Sequence, residues 1–306
     1  MNSELVERLR RVAEVKLNEP LARHVTFGVG GPADVYLIAN TEDQLRLGYS
    51  LARKGGGAVF IFGSGSNVLV GDGGVRGLTI ENRTDRVEGP SPNGAGFKAR
   101  IASGMSFAAL ARRMSSSGYA GIEWACGIPG SLGGAVVSNA GAYDHSLKDV
   151  LKGARLSDED GNVIALSPED LELDYRKSAF TRATIRDKVV LSVDLRLEGG
   201  DSKTLREQVR EFDEQRRAAQ PPGRNCGSVF KNPPDKPSWW YIEQAGLRGH
   251  TIGKAQFSER HANFILNLGG ARAADIVALM ELAQTRAHEE FGVTLEPEVA
   301  LVGEFS

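Results

Sequence analysis

The segment Gly63-Ser64-Gly65-Ser66-Asn67-Val68-Leu69-Val70 follows a short apolar run, Ala58 to Phe62, that reads as a buried strand. Glycines directly after a strand permit left-handed backbone and turn successive N–H groups into one concavity, which suits a phosphate. Ser64, Ser66 and Asn67 add side-chain donors there. The pattern is not the dinucleotide fingerprint, because Val68 stands where GxGxxG requires its last glycine, and no GK[ST] follows to make a P-loop. Read alone, the segment also admits an ordinary tight turn. A second cluster, Gly127 to Tyr143, reads GIPGSLGGAVVSNAGAY. Gly133, Gly134 and Ala135 offer bare backbone to a flat or extended ligand, with Ser131, Ser138 and Asn139 as polar partners, although close helix packing would leave the same composition. Two such clusters in one chain favour one large cofactor spanning both.

The rest of the chain narrows the classes. Of its 306 residues 37 are glycine, well above the roughly 7% of ordinary globular chains, and 24 of them lie at or before Gly141. The excess is therefore local and calls for a local cause. A net charge of −2 gives no general pull toward nucleic acid or anionic membrane. The opening MNSELVERLRR lacks the apolar core of a signal peptide, and no stretch approaches the roughly 18 apolar residues of a membrane span. Cys126 and Cys226 are the only cysteines, which fits a reducing cytoplasm, and the five histidines form no metal-ligand pattern.

The elements that must position these segments are legible as periodicities. Residues 3–16 predict an amphipathic helix with Leu5, Leu9 and Val12 on one stripe. Asp34 to Ala39 predicts a strand, Thr41 with Gln44 a capping box opening a helix to about Lys54, and Ala58 to Phe62 a second strand. Strand, helix and strand at this spacing predict a βαβ unit with a parallel sheet, joined by a third strand near Leu78 to Glu81. From about residue 84, short alternating segments at 97–101, 153–156, 162–165 and 189–197 predict a mainly antiparallel sheet, with a helix at 106–117. Helices follow at about 203–219, near Trp239 and at 272–291, with strands at 262–266 and 298–302.

GSGSNVLV together with IPGSLGGAVVSNAGAY resembles the FAD-binding domain of the vanillyl-alcohol-oxidase (PCMH) type. Three further segments sharpen the likeness: YRKS (Tyr175 to Ser178), CGSVFKNP (Cys226 to Pro233) and LEPEV (Leu295 to Val299). In this order, from His24-Val25-Thr26-Phe27-Gly28 to Val302, the chain resembles the UDP-N-acetylenolpyruvoylglucosamine reductase (MurB) family of bacterial peptidoglycan-precursor enzymes. The segment KAQFSERHANF (Lys254 to Phe264) and the compact length are similar to its shorter subtype, which lacks a substrate-covering tyrosine loop. The resemblance implies an α+β chain. A two-part FAD-binding domain, a small βαβ subdomain (1–83) and a mainly antiparallel sheet with helices (84–205), would precede a C-terminal α+β substrate domain (206–306).

It also implies a reaction. FAD is the cofactor and NADPH the hydride donor, and UDP-N-acetylglucosamine enolpyruvate is reduced to UDP-N-acetylmuramate. Hydride passes from nicotinamide to flavin N5 and then to the substrate's C3, leaving charge at C2 and on the adjacent carboxylate. Arg176, a fixed fork of donors, matches the arginine that holds this carboxylate. Ser228 matches the proton donor to C2, and Glu298 matches the glutamate that stabilises the enolic intermediate, with Glu296 a neighbouring rival. The cofactor contacts implied are Gly63, Ser64, Gly65, Ser66, Asn67, Gly130, Ser131, Gly133, Gly134, Ser138 and Asn139. Asn232, Lys254, His261 and Asn263 are the substrate contacts, with Lys254 suited to the diphosphate.

Singly, Arg176 reads as a surface arginine, Ser228 as a turn serine and Glu298 as a strand residue; their joint occurrence in family order carries the assignment. Two rivals are a flavin oxidase of the same domain type acting on an alcohol or sugar, and a nucleotide-binding module without chemistry. The presence of all three residues weighs against both. Two departures stand out: Gln220 to Cys226 is short, and Asp144 occupies a position where glycine is common. A cytoplasmic monomer without metal, nucleic-acid or membrane partners is expected.

Overall fold

Asn2 opens the first helix, its side-chain oxygen accepting the Leu5 N–H at 2.9 Å. The computed structural model describes residues 2–305. Along the chain run α1 (Ser3–Arg10), β1 (Glu14–Pro20), β2 (Pro32–Ala39), α2 (Glu42–Lys54), β3 (Val59–Phe62), β4 (Val68–Val70) and β5 (Val75–Asn82). Next come β6 (Val87–Asn93), β7 (Gly96–Ala102), α3 (Phe107–Ser116), β8 (Tyr119–Ala120), α4 (Leu132–Ser138), β9 (Gly141–Ala142) and β10 (His145–Ser146). The remainder is β11 (Leu151–Ser157), β12 (Val163–Leu166), β13 (Val189–Gly199), α5 (Ser202–Ala219), α6 (Ser238–Gln244), β14 (Thr251–Ile252), β15 (Ala255–Phe257), β16 (Ile265–Asn267), α7 (Ala273–Phe291) and β17 (Ala300–Val302).

Helix α1 stops at Arg10, short of the predicted residue 16. Its buried stripe is Leu5, Val6 and Leu9, and the following Glu14–Pro20 is a strand, because β-branched Val15 packs on the same core from a sheet ladder. Helix α2 is capped as expected by Thr41, whose hydroxyl accepts the Gln44 N–H at 3.2 Å. The reciprocal bond is displaced by one residue: Gln44 Oε1 accepts from the Asn40 N–H at 2.8 Å. Strands β1, β2, β5 and β3 lie in that order, with β3 parallel to β5, so the third strand of the predicted βαβ unit is inserted between the first two. The second sheet, β12-β11-β13-β7-β6, is antiparallel throughout.

Two compact units result, interleaved in sequence. The first comprises residues up to Lys16, Val35–Ser64 and Gly77–Arg216; the second comprises Leu17–Asp34, Gly65–Arg76 and the chain from Arg217. Within the first, α1, α2 and one face of the β2-β5-β3 strands enclose Leu9, Leu37, Leu45, Leu78 and Ile80. A larger core lies between the antiparallel sheet and α3 and α4, with Phe107, Trp124, Leu132, Val136 and Val193 buried. The second unit buries Phe27, Leu69, Phe230, Phe257, Ile276 and Leu279 around α7. The predicted strand at 262–266 is shifted to β16, because the Phe264 N–H turns back onto the His261 carbonyl at 3.0 Å. The final strand begins at Ala300, two residues later than predicted.

Asp72 ties this second unit together. Its two carboxylate oxygens accept from the Ala273 and Ala274 N–H groups, at 2.9 and 3.1 Å, at the start of α7. An anion on two orphan donors of a long helix stabilises it by charge as well as by hydrogen bonding. Asp72→Ala is expected to lower stability by about 1–2 kcal/mol, read as a shift in the denaturation midpoint, with Asp72→Asn losing less. An unchanged midpoint in the alanine variant would show that the cap contributes nothing.

Candidate active site

In the first unit the two glycine clusters meet. Strand β3 ends at Phe62, and the next residue, Gly63, lies so close to Ser131 that a Cβ on it would stand 2.2 Å from the serine Oγ. Ser131 caps α4, its hydroxyl accepting the Gly134 N–H at 3.3 Å. The neighbouring glycines differ in use. Gly133 is set by packing: its N–H donates to the Ser103 carbonyl at 2.7 Å, and a Cβ there would press on Ser103 at 3.0 Å. A Cβ on Gly134 would meet only the Ser131 hydroxyl, at 3.5 Å, so that side of α4 is open backbone. Gly130 turns the chain into the helix at φ 129. This bare cradle fits a flat, extended cofactor. Beneath it, Asn82 Nδ2 donates to Ser103 Oγ at 2.8 Å and Ser103 Oγ donates to the Val190 carbonyl at 2.6 Å. No local sequence signal marks this buried pair. Ser138 bonds its own helix, donating to the Gly134 carbonyl at 3.0 Å, and Ser64 is exposed.

Arg176 sits in a tight turn of the same unit. Asp174 and Lys177 exchange both backbone hydrogen bonds at 3.0 Å, leaving Tyr175 and Arg176 at the tip. Arg176 is left-handed at φ 52, donates to the Gly141 carbonyl at 3.1 Å and lies over the Tyr175 ring, 5.3 Å from its centroid. Tyr143 and Asp144 are also left-handed, at φ 54 and 61. That conformation is the reason glycine suits position 144, and aspartate is among the side chains that tolerate it best. Tyr143 is held by its hydroxyl on the Phe212 carbonyl at 3.0 Å. Of the basic pair in α5, Arg216 lays its stem against Gly127, where a Cβ would lie 2.4 Å from its Cδ, while Arg217 is exposed. Burial pushes the Arg216 guanidinium below its usual range.

The second unit gathers the other candidates. Gly65 is left-handed at φ 59, and a Cβ on it would stand 2.5 Å from the His24 carbonyl oxygen. Its own carbonyl accepts the Thr26 N–H at 3.0 Å, and Ser66 is buried beside it. Asn67 Nδ2 donates to the Glu298 carbonyl at 3.0 Å, and the strands that follow, β4 and β17, pair in parallel. The Glu298 N–H in turn donates to the Val229 carbonyl at 2.8 Å. Ser228 is presented by a left-handed Gly227 at φ 84, over which the Asn225 side chain accepts the Gly227 N–H at 2.9 Å. Ser228 and Glu298 therefore stand on neighbouring segments, both half-buried. Cys226, fully buried next to this pair, has its thiol pushed up by burial and by the Glu298 charge.

Glu296 is directed elsewhere, onto the Lys231 ammonium. Asn263 is spent on the backbone of Phe230, accepting its N–H at 3.0 Å and donating to its carbonyl at 2.8 Å. Asn232 accepts the Ser238 N–H at 3.1 Å at the start of α6. The Asn263 N–H meets His261 Nδ1 at 3.3 Å, and burial pushes that imidazole below its usual range. Lys254 is exposed. The structure thus joins Asn67, Ser228, Asn263 and Glu298 through short backbone bonds, and leaves Asn232 and Lys254 outside that ladder. Among the described residues no group of His, Cys, Asp and Glu could hold a metal ion, and no helix is long and apolar enough to cross a membrane.

Comparison with known proteins assigns these segments. A model of the FAD binding domain matches residues 33–167, and one of the UDP-N-acetylenolpyruvoylglucosamine reductase C-terminal domain matches residues 218–302. The UDP-N-acetylenolpyruvoylglucosamine reductase of Rubrobacter xylanophilus is 42% identical over 292 residues, 94% of this chain and 95% of that protein. The chain belongs to the UDP-N-acetylenolpyruvoylglucosamine reductase family. A MurB relative from Synechococcus sp. is 41% identical over 306 residues, covering 99% of this chain and 96% of that one. The crystal structure of MurB from Thermus caldophilus superposes with a TM-score of 0.77 at 31% identity, over 95% of this chain and 99% of that chain. The α+β architecture is that of the MurB family, with an FAD-binding domain in its first part. FAD is accordingly the cofactor.

Proposed function

We propose that this chain reduces UDP-N-acetylglucosamine enolpyruvate to UDP-N-acetylmuramate, using NADPH as hydride donor and FAD seated against Gly63, Ser131 and Gly134. Bound FAD supplies a group that accepts and returns a hydride at its ring N5. The observation that carries the reading is the 2.8 Å bond from the Glu298 N–H to the Val229 carbonyl, which holds the segments bearing Ser228 and Glu298 beside each other. Ser228 gives its proton to C2 of the substrate. A serine hydroxyl is a poor acid, but the carbanionic C2 is a strong base, so the transfer runs downhill. Glu298 stabilises the enolic intermediate on the substrate, and Glu296, held by Lys231, takes no part. Arg176 offers its fork to the substrate carboxylate, where charge develops.

His261 and Lys254 are assigned to the UDP portion, and Asn263 to holding the Ser228 strand in place. In this scheme residues 1–83 and 84–205 serve the cofactor and 206–306 the substrate. The enzyme acts as a monomer in the cytoplasm, in keeping with two buried free thiols. The purified protein should be yellow and release FAD on denaturation. NADPH should bleach it, and the enolpyruvyl substrate should restore the colour. A protein that takes up no FAD, or whose reduced flavin ignores the enolpyruvyl substrate, would overturn the proposal.

A further inference from the structure

Asn139 stands among the residues whose sequence context points to the cofactor, yet its amide is bonded to backbone at both ends. It is 4% exposed and ends α4 in the left-handed conformation, φ 43. Its Nδ2 donates to the Asp174 carbonyl at 3.0 Å and its Oδ1 accepts the Lys148 N–H at 3.1 Å. Both ends of the amide are thus engaged with backbone. Asp174 is the residue that closes the turn bearing Arg176, and that turn is fastened a second time, by Ser178 Oγ on the Val137 carbonyl at 2.6 Å. A third bond runs from the Arg176 guanidinium to the Gly141 carbonyl. The turn hangs from residues 137, 139 and 141, at the C-terminal end of α4.

A turn with a left-handed arginine at its tip is strained and persists only where its surroundings over-determine it. The other end of α4 is the Ser131–Gly134 cradle, about 10 Å away along a seven-residue helix. From this geometry we infer that Asn139 is a positioning residue for the substrate's carboxylate clamp: it fixes the Arg176 turn to the helix that seats the cofactor and does not itself touch FAD. The inference rests on the reading of Arg176 given above.

Two variants separate the amide from the backbone. Asn139→Asp keeps the acceptor for Lys148 and replaces the donor to Asp174 by an oxygen that repels its carbonyl. Asn139→Gly removes both bonds and keeps the left-handed cap without strain. Stopped-flow absorbance on the FAD-loaded protein reads the two half-reactions, and titration of the apoprotein with FAD reads cofactor affinity. Both variants should bind FAD within about twofold of wild type and be bleached by NADPH at the wild-type rate. Reoxidation by UDP-N-acetylglucosamine enolpyruvate should slow by about 10- to 100-fold, the range expected for a reacting group displaced by about 1 Å. In an Arg176→Ala background that further loss should vanish, because Asn139 acts through the arginine.

A tenfold weaker FAD complex whose saturated form reoxidises normally would make Asn139 a cofactor contact and overturn the inference. So would equal slowing of both half-reactions, wild-type behaviour in all three measurements, or a loss that adds to that of Arg176→Ala. If wild-type enzyme itself is not reoxidised by the enolpyruvyl substrate, the functional reading fails instead.

Discussion

Ser228→Ala should leave bleaching by NADPH intact while slowing reoxidation by the enolpyruvyl substrate by about a thousandfold. A positioned general acid contributes roughly 10²–10⁴-fold, and here no second hydroxyl stands on the same turn. The variant removes one oxygen from a half-buried position and leaves the turn unaltered. Gly227 keeps its left-handed backbone, and the Asn225 side chain keeps the Gly227 N–H. Loss confined to one half-reaction would then report chemistry and not folding. Normal turnover in the alanine variant would remove Ser228 from the mechanism, and equal slowing by NADPH would point to a displaced cofactor.

The second large effect belongs to Gly63→Ala. A methyl group 2.2 Å from Ser131 Oγ and 2.5 Å from its Cβ cannot be accommodated without moving the start of α4. FAD affinity should fall by about 100-fold, since a seat displaced by even 1 Å loses its aligned contacts. The obstacle is a side chain and not backbone, so it can be taken away. Gly63→Ala with Ser131→Gly should recover most of the affinity, because glycine replaces serine as a helix cap at a cost of only a few tenths of a kcal/mol. Apoprotein titration with FAD decides the matter. Failure of the double variant to recover would mean that the Ser131 side chain itself serves the cofactor.

What was legible in the sequence and what was not divide along a physical line. Local periodicity and local caps located α2, α3, α7 and four strands of the antiparallel sheet, β7, β11, β12 and β13, but not β6, because each located element depends on residues a few positions apart. Helix α1 was read too long because Val12 continued its stripe, while the strand that claims Val15 is stabilised from outside the segment. The site was legible as a set of motifs, and less so as a set of roles. Gly133 and Gly134 are the same letter, yet one is packed on Ser103 and the other faces open space. Asn263 and Asn139 invited assignment as ligand contacts, and both amides are engaged with backbone distant in sequence. The Asn82–Ser103 pair beneath the cradle had no signal, since a buried hydrogen bond is defined by its partner and not by its own sequence neighbours.

The parallel pair β4 and β17 carries a temporal consequence. Asn67 and the Glu298 carbonyl it holds are 231 positions apart in the chain, among the largest separations that any hydrogen bond here spans. Pairings so distant form late, because the ends of a long loop must be brought together before any bond rewards it. On the ribosome, the strand after the first glycine loop must wait for β17 to emerge. The loop therefore gains its final shape only after the β17 segment has emerged, long after its own residues were made.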